Sequence, residues 1–296
     1  MENVYVENQS YLSTNQCLIA VDSGLTTQDS GLMKVSILQS SLFWEHAEQN
    51  RANFGRKTDE LIGKTDLIVL PEMFTTGFSM RATDLAETMT GPTMAWLAGT
   101  AEKTGAAVVG SFICTEAGQY YNRLVFMRPD GKFDTYDKRH LFGLAGENEH
   151  YAAGKNRLIV EWKGWRICPL ICYDLRFPAW SRNGISNSLT RENSPYDLLI
   201  YVANWPSRRS HHWKSLLMAR AIENQSFTLG VNIFGTDGTG LEYSGDSAII
   251  DFGGQVICQI SGQEGAHTAE LSLADQQQYR QQLPFLQDAD FFTLHE

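Results

Sequence analysis

The sequence has no apolar run approaching the roughly 18 consecutive residues of a membrane-spanning helix. No lysine or arginine precedes Lys34, so the basic n-region of a secretory signal and the arginines of a transit peptide are both missing. Positive charge is scarce throughout: 24 Lys and Arg stand against 34 Asp and Glu, a formal net charge of −10. With no basic run, neither nucleic acid nor a membrane surface is expected as a partner. Cysteines are few, and the odd, scattered set Cys17, Cys114, Cys168, Cys172 and Cys258 makes no disulfide framework. These absences together predict a soluble protein in a reducing cytoplasm.

What is present is the material of a folded domain. Of the 296 residues 43% are hydrophobic and 20% charged, which places the chain among globular proteins and not disordered ones. Residues 1–32 are polar and aperiodic, and read as a poorly ordered extension. From Met33 the chain alternates short apolar strands with helical stretches. Strands are expected at Met33–Gln39, Asp66–Glu72, Ala106–Ile113, Trp165–Tyr173, Asp197–Ala203 and Phe227–Ile233. Helices are expected at about 48–63, from Gly91-Pro92 to about Lys103, at about 210–225 and at about 273–282. Two hairpins are expected, around Pro129-Asp-Gly-Lys132 and around Gly253-Gly254. The pattern predicts mixed sheets covered by helices. No linker divides 33–296, so one domain is expected, with polar 184–195 as a surface insertion.

Three reactive side chains recur at the carboxyl end of a strand: Glu72 after LIVLP, Lys138 after FDTYD and Cys172 after ICPLI. Ligands of α/β sheets bind where strands run out into loops, so the three can converge. A thiol, a carboxylate base to take its proton and a cation to hold an oxyanion are the parts of acyl transfer from an amide. The backbone N–H of Tyr173, just after the thiol, is a second oxyanion donor.

The strings VLPEMFTTGF, YDKRHLF, GENEHY and ICYDLRFP stand in the order of the nitrilase superfamily's signature regions, and the chain resembles that superfamily over essentially all of 33–296. YVANWP at 201–206, ARAIENQ at 219–225, YSGDS at 243–247 and QDAD at 287–290 are similar to its omega-amidase branch. The resemblance implies a four-layer α-β-β-α sandwich that associates as a homodimer. It implies Cys172 as nucleophile, Glu72 as general base and Lys138 as oxyanion-stabilising cation. It adds Glu147, seven residues before Gly154, as a second glutamate of the site. The implied substrate is a small dicarboxylic monoamide such as 2-oxoglutaramate or 2-oxosuccinamate, hydrolysed through a thioester without metal or cofactor. Such a substrate needs a clamp for its far carboxylate. Arg176 and the pair Arg208-Arg209 are candidates, with Tyr173 and Trp205 as further pocket residues and an ion-pair role as the alternative for Arg176.

Each residue also has a plain reading. A lone cysteine is mostly an inert buried group, which suits Cys168 inside its strand. A glutamate after Leu-Pro is ordinarily a turn residue, and GENEHY reads equally as an exposed acidic loop. Gly235–Gly240 lacks the Lys-Ser/Thr of a phosphate loop and is expected to join two strands. His211-His212 is expected to begin a helix. Other chemistries stay open: a nitrilase, an N-carbamoyl amino acid hydrolase, an aliphatic amidase, a cysteine peptidase using His140 or His150, or a non-catalytic binding protein.

Overall fold

The computed structural model describes residues 31–183, 196–290, 292 and 294. The insertion at 184–195 and residues 1–30 of the extension therefore lie outside the described residues.

Two sheets form the body. The first has the order β13-β1-β2-β3-β4-β5, built from β1 (Leu32–Gln39), β2 (Leu67–Val69), β3 (Ala107–Glu116), β4 (Gln119–Met127), β5 (Phe133–Asp137) and β13 (Gly265–Ser272). The second runs β10-β11-β9-β8-β7-β6, with β12 also on β11. Its strands are β6 (Val160–Trp162), β7 (Trp165–Ile171), β8 (Leu198–Val202), β9 (Phe227–Val231), β10 (Phe234–Thr236), β11 (Glu242–Ile250) and β12 (Val256–Ser261). Each sheet has a parallel centre, β1-β2-β3 in one and β7-β8-β9 in the other, flanked by antiparallel strands.

Strand alternation divides the core into layers. In β2, Leu67 and Val69 join the large cluster shared with the second sheet, whereas Ile68 joins the outer cluster. In β3, Ala107 and Val109 behave like the former and Val108 like the latter. The outer cluster is completed by Phe54 of α1 (Ala47–Asp59) and by Met94, Leu97 and Ala101 of α3 (Pro92–Thr104). Each such fully buried large side chain contributes about 1.5–3 kcal/mol. Pro92 opens α3, and Gly105 at φ 70° closes it by donating to the Ala101 carbonyl. On the far face of the second sheet lies α6 (Ser210–Asn224). Its Trp213 and Leu217 press so close to Gly230 of β9 that a Cβ there would stand 2.3 Å from Leu217. Among the described residues, four further α-helices are short or peripheral: α2 (Ala82–Leu85), α4 (Glu147–His150), α5 (Pro178–Ser181) and α7 (Leu273–Gln282). The layers are thus α-β-β-α. Among the described residues no helix is long and apolar enough to cross a membrane.

The expected elements recur with shifted ends. β2 is only three residues long, so Glu72 stands three residues beyond it and not at its tip. β1 starts one residue before Met33. Both expected hairpins form, β4-β5 and β11-β12.

Candidate active site

The active-site candidates come from both sheets. Past β2, the Leu70 N–H still bonds Val109 at 2.7 Å, and Met73 donates to the Ser111 hydroxyl at 2.9 Å. Fixed on both sides, Glu72 is driven inward and is fully buried. Lys138 directly follows β5. Its backbone donates to Asn122 of β4 and accepts from Gly154. A Cβ on Gly154 would sit 2.0 Å from the Asp137 carbonyl, so only glycine lets that strand approach. This contact anchors the loop that begins at Glu147. Cys172 follows β7 with φ 42°, an uncommon conformation for a non-glycine residue, which turns the chain sharply at the thiol. Asp174 holds that turn: its buried carboxylate accepts from Ile171 N at 3.1 Å, Tyr136 Oη at 2.7 Å and His140 N at 3.0 Å. The Lys138 segment and the Cys172 segment are thereby tied to one carboxylate.

The side chains converge. The Lys138 ammonium donates to Glu72 Oε1 at 2.9 Å and to both Glu147 oxygens at 3.0 and 2.9 Å. Asn122 donates to Glu72 Oε1 at 2.8 Å, and the Asn204 backbone donates to Glu72 Oε2 at 2.8 Å. Glu147 further accepts from Phe142 N at 2.6 Å. Burial would lower the Lys138 ammonium, but Glu147 and Glu72 outweigh it and hold the group above its usual range, fully charged. Burial raises the Glu147 carboxyl despite Lys138. The Cys172 thiol lies beside this cluster. Burial first, and then the Glu72 charge, push it well above the usual thiol range, with Lys138 pulling the other way. At neutral pH the resting sulfur is a thiol whose neighbour is a carboxylate able to take its proton.

A pocket of about 250 Å³ opens on Cys172 and Lys138. That is below the span usual for drug-sized ligands and suits a small metabolite. Tyr173 lines it, packed edge-on against Phe142 and Phe177. Trp205 lines it as well, its backbone N–H donating to Asn232 at 2.8 Å. Arg176, Arg208 and Arg209 share the lining. Arg176 lies 4.6 Å over the Trp205 ring and donates to His212, and Arg209 lies 5.4 Å over Phe142. None of the three pairs with a carboxylate among the described residues, so the ion-pair alternative for Arg176 loses its basis. Burial, then Arg208 and Arg176, lower the Arg209 guanidinium, the mark of an uncompensated positive cluster.

The other sequence candidates separate cleanly. Glu147 is buried and Glu149 exposed, so GENEHY is not simply a surface loop. Cys168 is buried in β7, its thiol pushed up to about 12 by burial. His140 faces Asp174 at 2.7 Å and stacks on Phe177, and His150 is exposed, so neither serves Cys172 as a peptidase base. His211 and His212 begin α6, and Gly235–Gly240 spans β10 and the turn to β11. Sequence reasoning passed over Asn122, Asp174 and Asn204. Asn204 carries the signal already used for the others, a polar residue just past the carboxyl end of an apolar strand. Asp174 stands three residues past β7 in the same way, whereas Asn122 carries no such signal, its partners Glu72 and Glu147 lying 50 and 25 residues away.

The fold and the family to which it leads define an enzyme that hydrolyses amides. Residues 34–281 match the model of the carbon-nitrogen hydrolase family, and the chain belongs to that family, within the nitrilase superfamily. It is 45% identical to omega-amidase YafV of Escherichia coli K12 over 88% of this chain and 98% of that one. It is 36% identical to the 2-oxoglutaramate amidase of Bacillus subtilis, covering 75% and 84%. A Xanthomonas campestris CN-hydrolase superfamily structure with an arsenic adduct in its active site superposes at TM-score 0.87, with 46% identity and coverage of 89% and 99%. Saccharomyces cerevisiae Nit3 shares the fold at TM-score 0.76 and 23% identity, covering 86% and 95%.

Proposed function

We propose that the protein is an omega-amidase, releasing ammonia from the terminal amide of small dicarboxylic monoamides such as 2-oxoglutaramate and 2-oxosuccinamate. The observation that carries this reading is the set of three arginines, without carboxylate partners among the described residues, around a small pocket that ends on Cys172. An amide bearing a carboxylate at its far end satisfies both ends of that pocket. The similarity to omega-amidases and 2-oxoglutaramate amidases supports it.

In this mechanism Cys172 Sγ attacks the amide carbon as Glu72 takes the thiol proton. Lys138 and the Tyr173 N–H, free of an intrahelical partner at the start of its turn, stabilise the oxyanion. Glu72 returns the proton to nitrogen, the C–N bond breaks and ammonia leaves a thioester. Water, losing a proton to Glu72, adds to the thioester carbon. The C–S bond breaks, the acid departs and the proton returns to sulfur. Glu147 keeps Lys138 charged and in place. The cationic rim also disfavours an ammonium beside the substrate carboxylate, so a 2-oxo acid is preferred to its amino acid.

The test is ammonia release from 2-oxoglutaramate, with Cys172→Ala and glutamine run in parallel. Rapid release by the native enzyme, none by the variant and little from glutamine is expected. A folded native enzyme that leaves 2-oxoglutaramate intact refutes the assignment.

A further inference from the structure

The turn between β10 and β11 has no part in the chemistry above, yet it is built around one carboxylate. Asp237 Oδ1 accepts from Thr239 N at 2.8 Å, Thr239 Oγ1 at 2.7 Å and Leu241 N at 3.0 Å. Its other oxygen accepts from the Tyr243 hydroxyl at 2.9 Å. Leu241 and Tyr243 both line the pocket with Cys172 and Lys138. The turn is clamped from outside as well. The Trp44 ring lies against Gly238, where a Cβ would stand 2.2 Å away, and against Gly77, next to the pocket residue Phe78. Tyr243 is buried, and burial first, then Asp237, push its hydroxyl above the usual phenol range.

A phenol has one proton, and here Asp237 takes it. What the Tyr243 oxygen can still offer a ligand is an acceptor. In a 2-oxo dicarboxylic monoamide the carboxylate and ketone are acceptors only, and the sole donors are the two amide N–H groups. We propose that Tyr243, oriented by Asp237, is a substrate-binding residue that accepts a hydrogen bond from the amide nitrogen and so selects an amide over an ester or a free acid at the Cys172 end. The inference rests on the amide-hydrolase reading above and adds a recognition element to it. The diacid product brings only acceptors to the same place, so the pair also favours its departure.

The experiment compares 2-oxoglutaramate with the 5-methyl ester of 2-oxoglutarate, whose leaving group has no N–H. In Tyr243→Phe, which loses one oxygen and keeps the ring, the amide-to-ester ratio of kcat/KM is expected to fall about 10-fold, the effect of one hydrogen bond. The ratio is taken on one preparation, so the fraction of folded enzyme cancels. Asp237→Asn is the second variant. The three donors of the turn keep its Oδ1, its Nδ2 faces the phenol, and the Tyr243 proton is released toward the pocket. That variant should lose amide preference and bind 2-oxoglutarate more tightly as a product inhibitor. An unchanged ratio in Tyr243→Phe, with the native enzyme hydrolysing the amide, overturns this inference alone. A native enzyme that hydrolyses neither compound overturns the amidase reading and this inference together.

Discussion

Replacing Lys138 by methionine, close in length and without charge, leaves Glu72 and Glu147 facing one another in a buried site. Each carboxylate lies 2.9 Å from Nζ, so their nearest oxygens are at most about twice that apart. At that separation two unit charges repel by about 3 kcal/mol with an effective dielectric of about 20, equal to about 2 pKa units. The variant should lose about 3 kcal/mol of stability at neutral pH, in line with the loss of one partner from a buried ion pair. The deficit is pH-dependent. The carboxylate pair of the variant keeps a proton to higher pH when folded than when unfolded. Its stability is therefore fully present below the ordinary carboxylate range and is lost as pH rises through the raised value, across about pH 4 to 7. Urea unfolding of both proteins through that window, with ammonia release measured at each pH, tests the reasoning. A deficit of the same size at both ends of the window, or a variant as stable as the native protein at pH 8, would refute it. So would substantial turnover without the ammonium.

Four further outcomes are expected. Glu72→Gln should abolish hydrolysis yet speed alkylation of Cys172 by iodoacetamide at a fixed alkaline pH, because the Glu72 charge holds the thiol high; slower alkylation counts against that electrostatic account. Arg176→Met and Arg209→Met should each raise KM for 2-oxoglutaramate about 10-fold or more, as a charged hydrogen bond is lost, while butyramide turnover stays level; equal losses on both substrates argue for a packing role. Gly238→Ala forces a methyl into the Trp44 ring and should cost about 1–3 kcal/mol in thermal or urea unfolding; a neutral substitution removes the clamp. A chain beginning at Met33 should fold and release ammonia at the full-length rate, and insoluble or inactive protein would assign residues 1–32 a structural role.

The fold was legible where strand and helix announce themselves locally. Gly91-Pro92 marked the start of α3 and the Pro129–Lys132 turn marked the β4-β5 hairpin, because proline and glycine set backbone angles whatever surrounds them. The β3-β4 hairpin was missed: it turns through Ala117 and Gly118, both at positive φ, and alanine gives no hint of that conformation. β13 escaped notice too, since only Ala269 and Leu271 among its residues are buried against the fold. Glu72, Lys138 and Cys172 were visible by their strand-end position, but the sequence holds no strand order. Asn122 was harder still, because its importance lies in bonds to Glu72 and Glu147, 50 and 25 residues away.

Glu72 and Lys138 hang from the first sheet, Cys172 and Asn204 from the second, and the Asn204 bond to Glu72 crosses between them. Turnover is therefore a gauge of how the two halves are seated. A chain emerging from the ribosome carries the glutamate, the lysine and the thiol well before the strand bearing Asn204 arrives, and the sulfur meets its base only when the halves close. On heating, a slight parting of that seam would silence the enzyme while both sheets still stood. Loss of ammonia release should thus precede loss of the strand signal in circular dichroism.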